Sequence, residues 1–202
     1  MTPKVRAIGT RTDNAALMVD SKTLGYLDGT VLDATYGLGR FWKLLPGMPT
    51  KCVDIDPSKG VTVADFRRLP YDRDSFDTVV LDAPYKLNGT STGKGPSASD
   101  GDYGVNGEYQ SVAAKHELIF DGIDDCLRVA RTFLLVKCQD QVCAGRVHWQ
   151  THLFTQHAVK ENRARLVDML HVQGYREQPP GRRQLHASRD YSTLLVFKVG
   201  KP

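Results

Sequence analysis

Apolar runs of strand length recur along the chain, separated by turn residues. Residues 30–34 (TVLDA), 51–55 (KCVDI), 61–64 (VTVA) and 76–81 (FDTVVL) read as four successive strands. Residues 41–45 begin a short helix that Pro46 and Gly47 would end. Further on, 109–130 has the spacing of an amphipathic helix, with Leu118, Ile119, Ile123, Leu127 and Val129 as core positions. The runs at 131–137, 165–171 and 191–199 predict a fifth, sixth and seventh strand, and 149–162 another helix. These strands carry apolar runs rather than strict alternation, the pattern of a sheet covered on both faces. Their connections are long enough for crossovers, so an α/β fold with parallel strands is expected.

Two stretches break the pattern. From 86 to 108 the chain turns to Gly, Ser, Asn and Asp and reads as a flexible loop, longer than most connections in a compact domain. Its Lys86, Asn88, Lys94, Tyr103 and Asn106 are candidates to close over substrate or to track a phosphate backbone. From 174 to 190 runs a Pro/Gly/Arg-rich loop, with Arg176, Arg182, Arg183, His186 and Arg189 as candidate phosphate contacts. No repeat is found, and 202 residues suit a single domain over 1–202.

Composition narrows the class. Hydrophobic residues at 41% and charged residues at 25% are ordinary globular usage. No run approaches the roughly 18 apolar residues of a membrane span, and no apolar stretch follows the first charges, so a cytoplasmic location without a membrane is expected. The net charge of +4 permits a polyanionic partner without requiring one. Cys52, Cys126, Cys138 and Cys143 are scattered, which argues against a disulfide framework. Cys138, Cys143, His148 and His152 have a spacing open to a zinc reading, but Cys138 ends an apolar strand and reads as a small core residue, so no metal is expected. There is no P-loop and no nucleophile motif of a hydrolase.

Chemistry concentrates at the strand exits. In open α/β sheets ligands bind beyond the carboxyl ends of the strands, where strand order reverses. The first four strands leave through Asp33, Asp54, Asp65 and Asp82. Carboxylates there can accept from ribose hydroxyls and an exocyclic amine, and they attract cationic groups. Gly37 and Gly39 allow a tight first turn. A dinucleotide site would place a third glycine where Trp42 stands.

The run from Val31 to Gly39 resembles the first motif of class I S-adenosylmethionine-dependent methyltransferases, an apolar strand leading into D-x-x-x-G-x-G. Residues 52–57 (CVDIDP) resemble their second motif, and Ala64-Asp65-Phe66 with Leu69, Pro70 and 75–77 the third. The resemblance implies a Rossmann-like seven-stranded, mostly parallel sheet with helices on both faces and a C-terminal antiparallel hairpin. It implies S-adenosylmethionine as cofactor, contacted by Asp33, Tyr36, Gly37, Gly39, Asp54, Asp65 and Phe66. Asp54 would hold the ribose, with Asp56 as the alternative one register away. Asp65 would face the adenine amine, with Phe66 against the ring.

Residues 82–85, Asp82-Ala83-Pro84-Tyr85, resemble the D-P-P-Y signature of amino-group methylases, among them the adenine-N6 and cytosine-N4 nucleic-acid methylases; Ala83 stands where the first proline is expected. The resemblance assigns catalysis to these four residues. Hydrogen bonds from an aromatic amine to Asp82 and a backbone carbonyl would favour a pyramidal nitrogen, the proline would stiffen the turn, and Tyr85 would stack on an extruded base. The expected reaction is methyl transfer to an exocyclic amino nitrogen of a nucleic-acid base, adenine N6 first and DNA slightly ahead of RNA. The alternatives are an N-methyltransferase for a protein or small molecule, and a non-catalytic nucleic-acid-binding module on the same fold.

Overall fold

The computed structural model describes residues 4–8, 11, 13–87, 111–143, 145–162, 164–174 and 184–200. Their helices are α1 (Asn14–Thr23), α2 (Val112–Val129) and α3 (Gln150–Asn162). Their strands are β1 (Val31–Asp33), β2 (Lys51–Asp54), β3 (Thr62–Val63), β4 (Phe76–Leu81), β5 (Ala130–Cys138), β6 (Gln141–Cys143), β7 (Arg146–His148), β8 (Arg165–Gln173) and β9 (Tyr191–Lys198). Seven strands form one sheet in the order β3-β2-β1-β4-β5-β9-β8. β1 to β5 pair in parallel, while β9 lies antiparallel to both β5 and β8. The expected Rossmann-like sheet and closing antiparallel hairpin are therefore present.

The continuous apolar runs have a direct cause. Val31, Val80, Leu135, Leu194 and Val196 point to the face covered by α1. Leu32, Val79, Leu81, Leu134, Val136, Leu195 and Phe197 point to the opposite face, under α2 and α3. Each strand must be apolar at successive positions because both faces are dry. On α2, Ile119, Ile123, Cys126 and Leu127 recur at helical spacing and turn inward. Ser111 caps that helix by accepting from the Ala114 amide at 3.1 Å. Its glycine, Gly122, gives room to the Phe66 ring, which lies against the position a Cβ would fill.

The structure departs from the sequence expectations in a few places. The helix expected over 41–45 is one 3-10 turn, Arg40–Trp42. The first three strands are shorter than expected, and β5 and β8 are longer. Helix α1, capped by Asp13 at 2.7 Å from the Ala15 amide, is absent from the sequence reading. So is the small hairpin β6–β7, a separate two-stranded sheet between β5 and α3.

The outer edge of β8 is covered by the N-terminal segment. Ile8 bridges to His171, and the His171 and Gln173 amides donate to the carbonyls of Ala7 (2.9 Å) and Arg11 (3.0 Å). Arg11 is buried and anchors the segment. Its guanidinium donates to the Ala7 and His171 carbonyls, at 3.1 and 3.0 Å, to the Arg6 carbonyl, and pairs with Asp20 of α1.

Candidate active site

The turn after β1 is built around two acids. Gly37 and Gly39 both adopt positive φ, 57° and 65°, a region that favours glycine. A Cβ on Gly39 would sit 2.6 Å from the Tyr36 hydroxyl, so this glycine also admits the Tyr36 ring. Asp54, at the end of β2, accepts from the Gly37 amide at 2.7 Å and from the Asp56 amide at 2.9 Å. Asp33 lies deeper and accepts from the Trp42 indole at 2.6 Å and the Thr35 amide at 2.9 Å. Trp42 breaks the glycine fingerprint and takes a structural role of its own, since its indole braces Asp33 beneath the turn. Burial, with Asp82 and Asp54 nearby, pushes the Asp33 carboxyl up to about 7 against the opposing pull of those two hydrogen bonds.

The acids after β2 and β3 differ. Asp65 accepts from the Arg67 amide and pairs with its guanidinium, which holds the carboxyl below its ordinary range. Asp56 caps the turn Pro57–Lys59 through the Ser58 amide and lies 3.3 Å from the Lys59 ammonium. Phe66 packs on Gly122 of α2, so at least one face of its ring is committed to the protein.

Asp82 opens the loop after β4. Its amide donates to Thr35 Oγ1 at 2.7 Å, which ties this loop to the turn after β1. Burial raises its carboxyl to about 6, although Lys137 and Lys86 pull it down. Ala83 is buried in the core, and its carbonyl accepts from the Tyr85 amide at 2.6 Å. The rest of the loop is held by two glutamines. The Tyr85 carbonyl accepts from Gln141 at 2.8 Å and Gln150 at 2.9 Å, and Gln141 Oε1 in turn accepts from the Leu87 amide at 3.1 Å. Buried Lys115 of α2 donates to the Lys86 carbonyl. This clamp replaces, by hydrogen bonds, some of the rigidity that a proline at 83 would give.

The register of β4 on β5, with Leu81 opposite Val136, sets Asp82 beside Lys137. Lys137 is 1% exposed, and its ammonium donates to Asn14 (2.8 Å) and Ser192 (2.6 Å). Burial depresses its pKa, and Asp82 opposes that shift. Above it opens a cleft of about 240 Å³, lined by Asn14, Tyr85, Lys86, Gln139, Asp190 and Tyr191 among others. That is below the roughly 300–1,000 Å³ of drug-sized pockets and suits one ring-sized group.

Asp33, Tyr36, Gly37, Gly39 and Asp54 thus gather at the carboxyl ends of β1 and β2, next to Asp82, Ala83, Pro84 and Tyr85 after β4. Asn88, Lys94, Tyr103, Asn106, Arg176, Arg182 and Arg183 lie outside the described residues. Sequence reading missed the supports: Thr35, Trp42, Lys115, Lys137, Gln141 and Gln150. Lys137 alone carried a usable signal, a charge at the end of an otherwise apolar strand.

No family model matches the chain, and no curated protein matches it in sequence. Solved structures do match. The N-methyltransferase NodS from Bradyrhizobium japonicum WM9 aligns over 93% of this chain and 94% of its own, with 13% identity and a TM-score of 0.57. Its complex with S-adenosyl-L-homocysteine aligns over 93% and 86%, with 14% identity and a TM-score of 0.56. A SAM-dependent methyltransferase from Aquifex aeolicus aligns over 94% and 91%, with 12% identity and a TM-score of 0.53. The fold is the Rossmann-like fold of S-adenosylmethionine-dependent methyltransferases.

Proposed function

We propose that the protein is an S-adenosylmethionine-dependent N-methyltransferase acting on an exocyclic amino nitrogen of a nucleic-acid base, adenine N6 before cytosine N4 and DNA before RNA. The observation that carries the reading is the meeting of Asp33, Asp54 and Asp82 at neighbouring strand ends, with Asp82 opening an Asp-Ala-Pro-Tyr loop.

The residues present fit the cofactor. Asp54 keeps a lone pair on each oxygen beyond its two backbone bonds, so it can accept from ribose hydroxyls. Asp56 is occupied as a turn cap, which favours Asp54 for this role. Asp65, held ionised by Arg67, suits the adenine amine, with Phe66 beside it. Tyr36, Gly37 and Gly39 shape the turn over which the cofactor would lie. Asp33 acts from below by bracing that turn through Trp42 and Thr35. When bound, S-adenosylmethionine supplies a methyl group on a cationic sulfonium.

Asp82 would accept a hydrogen bond from the target amine, orient its lone pair and take up the proton released on transfer. Ala83 and Pro84 would set the loop carbonyls around the same nitrogen. Tyr85 would stack on the base. The ring-sized cleft beside Tyr85 supports a base as the acceptor, and the likeness of residues 82–85 to amino-group methylases supports nitrogen as the atom.

The test is methyl transfer from labelled S-adenosylmethionine to mixed DNA and RNA pools. Label should enter the DNA pool and fall by about 100-fold or more in Asp82→Ala, while S-adenosylhomocysteine still binds. Cofactor binding with no label in either pool would sink the nucleic-acid reading and send the acceptor to proteins or small molecules.

A further inference from the structure

We propose that hairpin β6–β7, Trp149 and the segment 184–190 form the surface that grips a single or unstacked nucleic-acid strand, with Trp149 as a stacking platform and Arg146, His186 and Arg189 as phosphate contacts. This rests on the nucleic-acid reading above and gives that partner a location.

The segments form one surface. His186 Nε2 donates to the Gly145 carbonyl at 3.0 Å, at the tip of the hairpin. The Arg189 guanidinium lies over the Trp149 ring, 4.6 Å from its centroid. Gln139 donates to the Arg189 carbonyl at 2.9 Å and so fixes that segment to the end of β5. The surface exposes apolar groups that a dry core would take: Val142 is 45%, Trp149 50% and Leu185 71% exposed.

Its charge selects the partner. The cationic and titratable groups of these segments and the first turn of α3 are Arg146, His148, His152, His186 and Arg189. The carboxylates are Asp140 and Asp190. Asp140 is buried and accepts from the Thr151 amide and hydroxyl, and Asp190 accepts from the Ser188 hydroxyl. An exposed indole set among guanidinium and imidazole groups, with its acids occupied, is the donor set that holds stacked bases and phosphates together.

The surface also adjoins the chemistry. Val142 and Trp149 are the chain neighbours of Gln141 and Gln150, the two side chains that hold the Tyr85 carbonyl. A strand lying on the hairpin therefore runs beside the loop that begins at Asp82.

The experiment is fluorescence anisotropy of a labelled single-stranded DNA oligonucleotide with the whole chain and S-adenosylhomocysteine. Trp149→Ala should weaken binding about tenfold, and Trp149→Phe by much less. Arg146→Ala with Arg189→Ala should weaken it and lower the salt slope by about 1–2. Lys51→Ala, on an exposed position of β2, should change nothing. Unaltered S-adenosylhomocysteine affinity in each variant reports an intact fold, and Arg146→Glu, on an exposed position, replaces Trp149→Ala should that chain not fold. Oligonucleotide affinity within twofold of wild type in these variants overturns the surface alone. A wild-type protein that neither binds nor methylates any oligonucleotide overturns the nucleic-acid reading, and the surface with it.

Discussion

Asp33 and Asp82 carry the same group on neighbouring strands, but their surroundings separate their roles. Asp33 is buried under the Trp42 indole and titrates near 7. The folded protein keeps a proton there that the unfolded chain releases near the ordinary carboxyl value of 3.8. Its contribution to stability is therefore full below about pH 4 and is lost as pH rises towards 7, on the order of 4 kcal/mol over that window. Asp33→Asn should flatten this part of the pH dependence of thermal melting; melting curves that stay parallel to wild type would refute the assignment. In the proposed role Asp82 must be ionised to accept from an amine, so methyl transfer should rise through about pH 6. Lys137 pulls that carboxyl down, and Lys137→Met should move the acid limb of the pH–rate profile to higher pH. A limb that does not move would detach Lys137 from Asp82. The acids themselves were legible in the sequence, because strand ends can be read from apolar runs. What separates them was not: the Trp42 brace and the burial of Lys137 depend on residues that meet only after folding.

At the scale of elements, α2 and the loop after β3 meet at Gly122 and Phe66. An alanine at 122 would gain about 1 kcal/mol of helix propensity. It would also drive a methyl group into the Phe66 ring, an overpacking that costs about 1–3 kcal/mol. The second effect should win. Gly122→Ala is expected to lower the melting temperature and to weaken S-adenosylhomocysteine binding, since Asp65 and Phe66 must shift together. Phe66→Leu in the same chain should recover part of both. An unchanged melting temperature would show that the loop yields freely. The long helix and the buried strands were visible from their periodicity. Hairpin β6–β7 was not, since three-residue strands leave too short a pattern, and Gln141 and Gln150 are polar residues that only their partners make structural.

For the whole molecule, the parallel half of the sheet follows the order of the sequence motifs, but its far edge depends on long-range pairing. The strap over β8 hangs on Arg11. Arg11→Met would leave several carbonyls and Asp20 without their donor, a loss of roughly 3 kcal/mol. The melting temperature should fall by about 6–12 °C, and hydrogen exchange should quicken at the His171 and Gln173 amides. Exchange at wild-type rates would mean that the strap is held by other contacts. No pattern near residue 11 announces this anchor, because its partners lie both beside it and at position 171.

The placement of β9 between β5 and β8 also governs how the chain can be made. During synthesis β9 leaves the ribosome after every other described element, so until then β5 has an open edge and β8 has no berth in the sheet. Lys137 likewise waits for Ser192. The nascent chain must carry an unfinished apolar sheet until β9 emerges, the interval in which chaperone shielding matters most. A premature stop within 191–198 would leave an unclosed sheet, a target for proteolysis, in place of a folded but weakened protein.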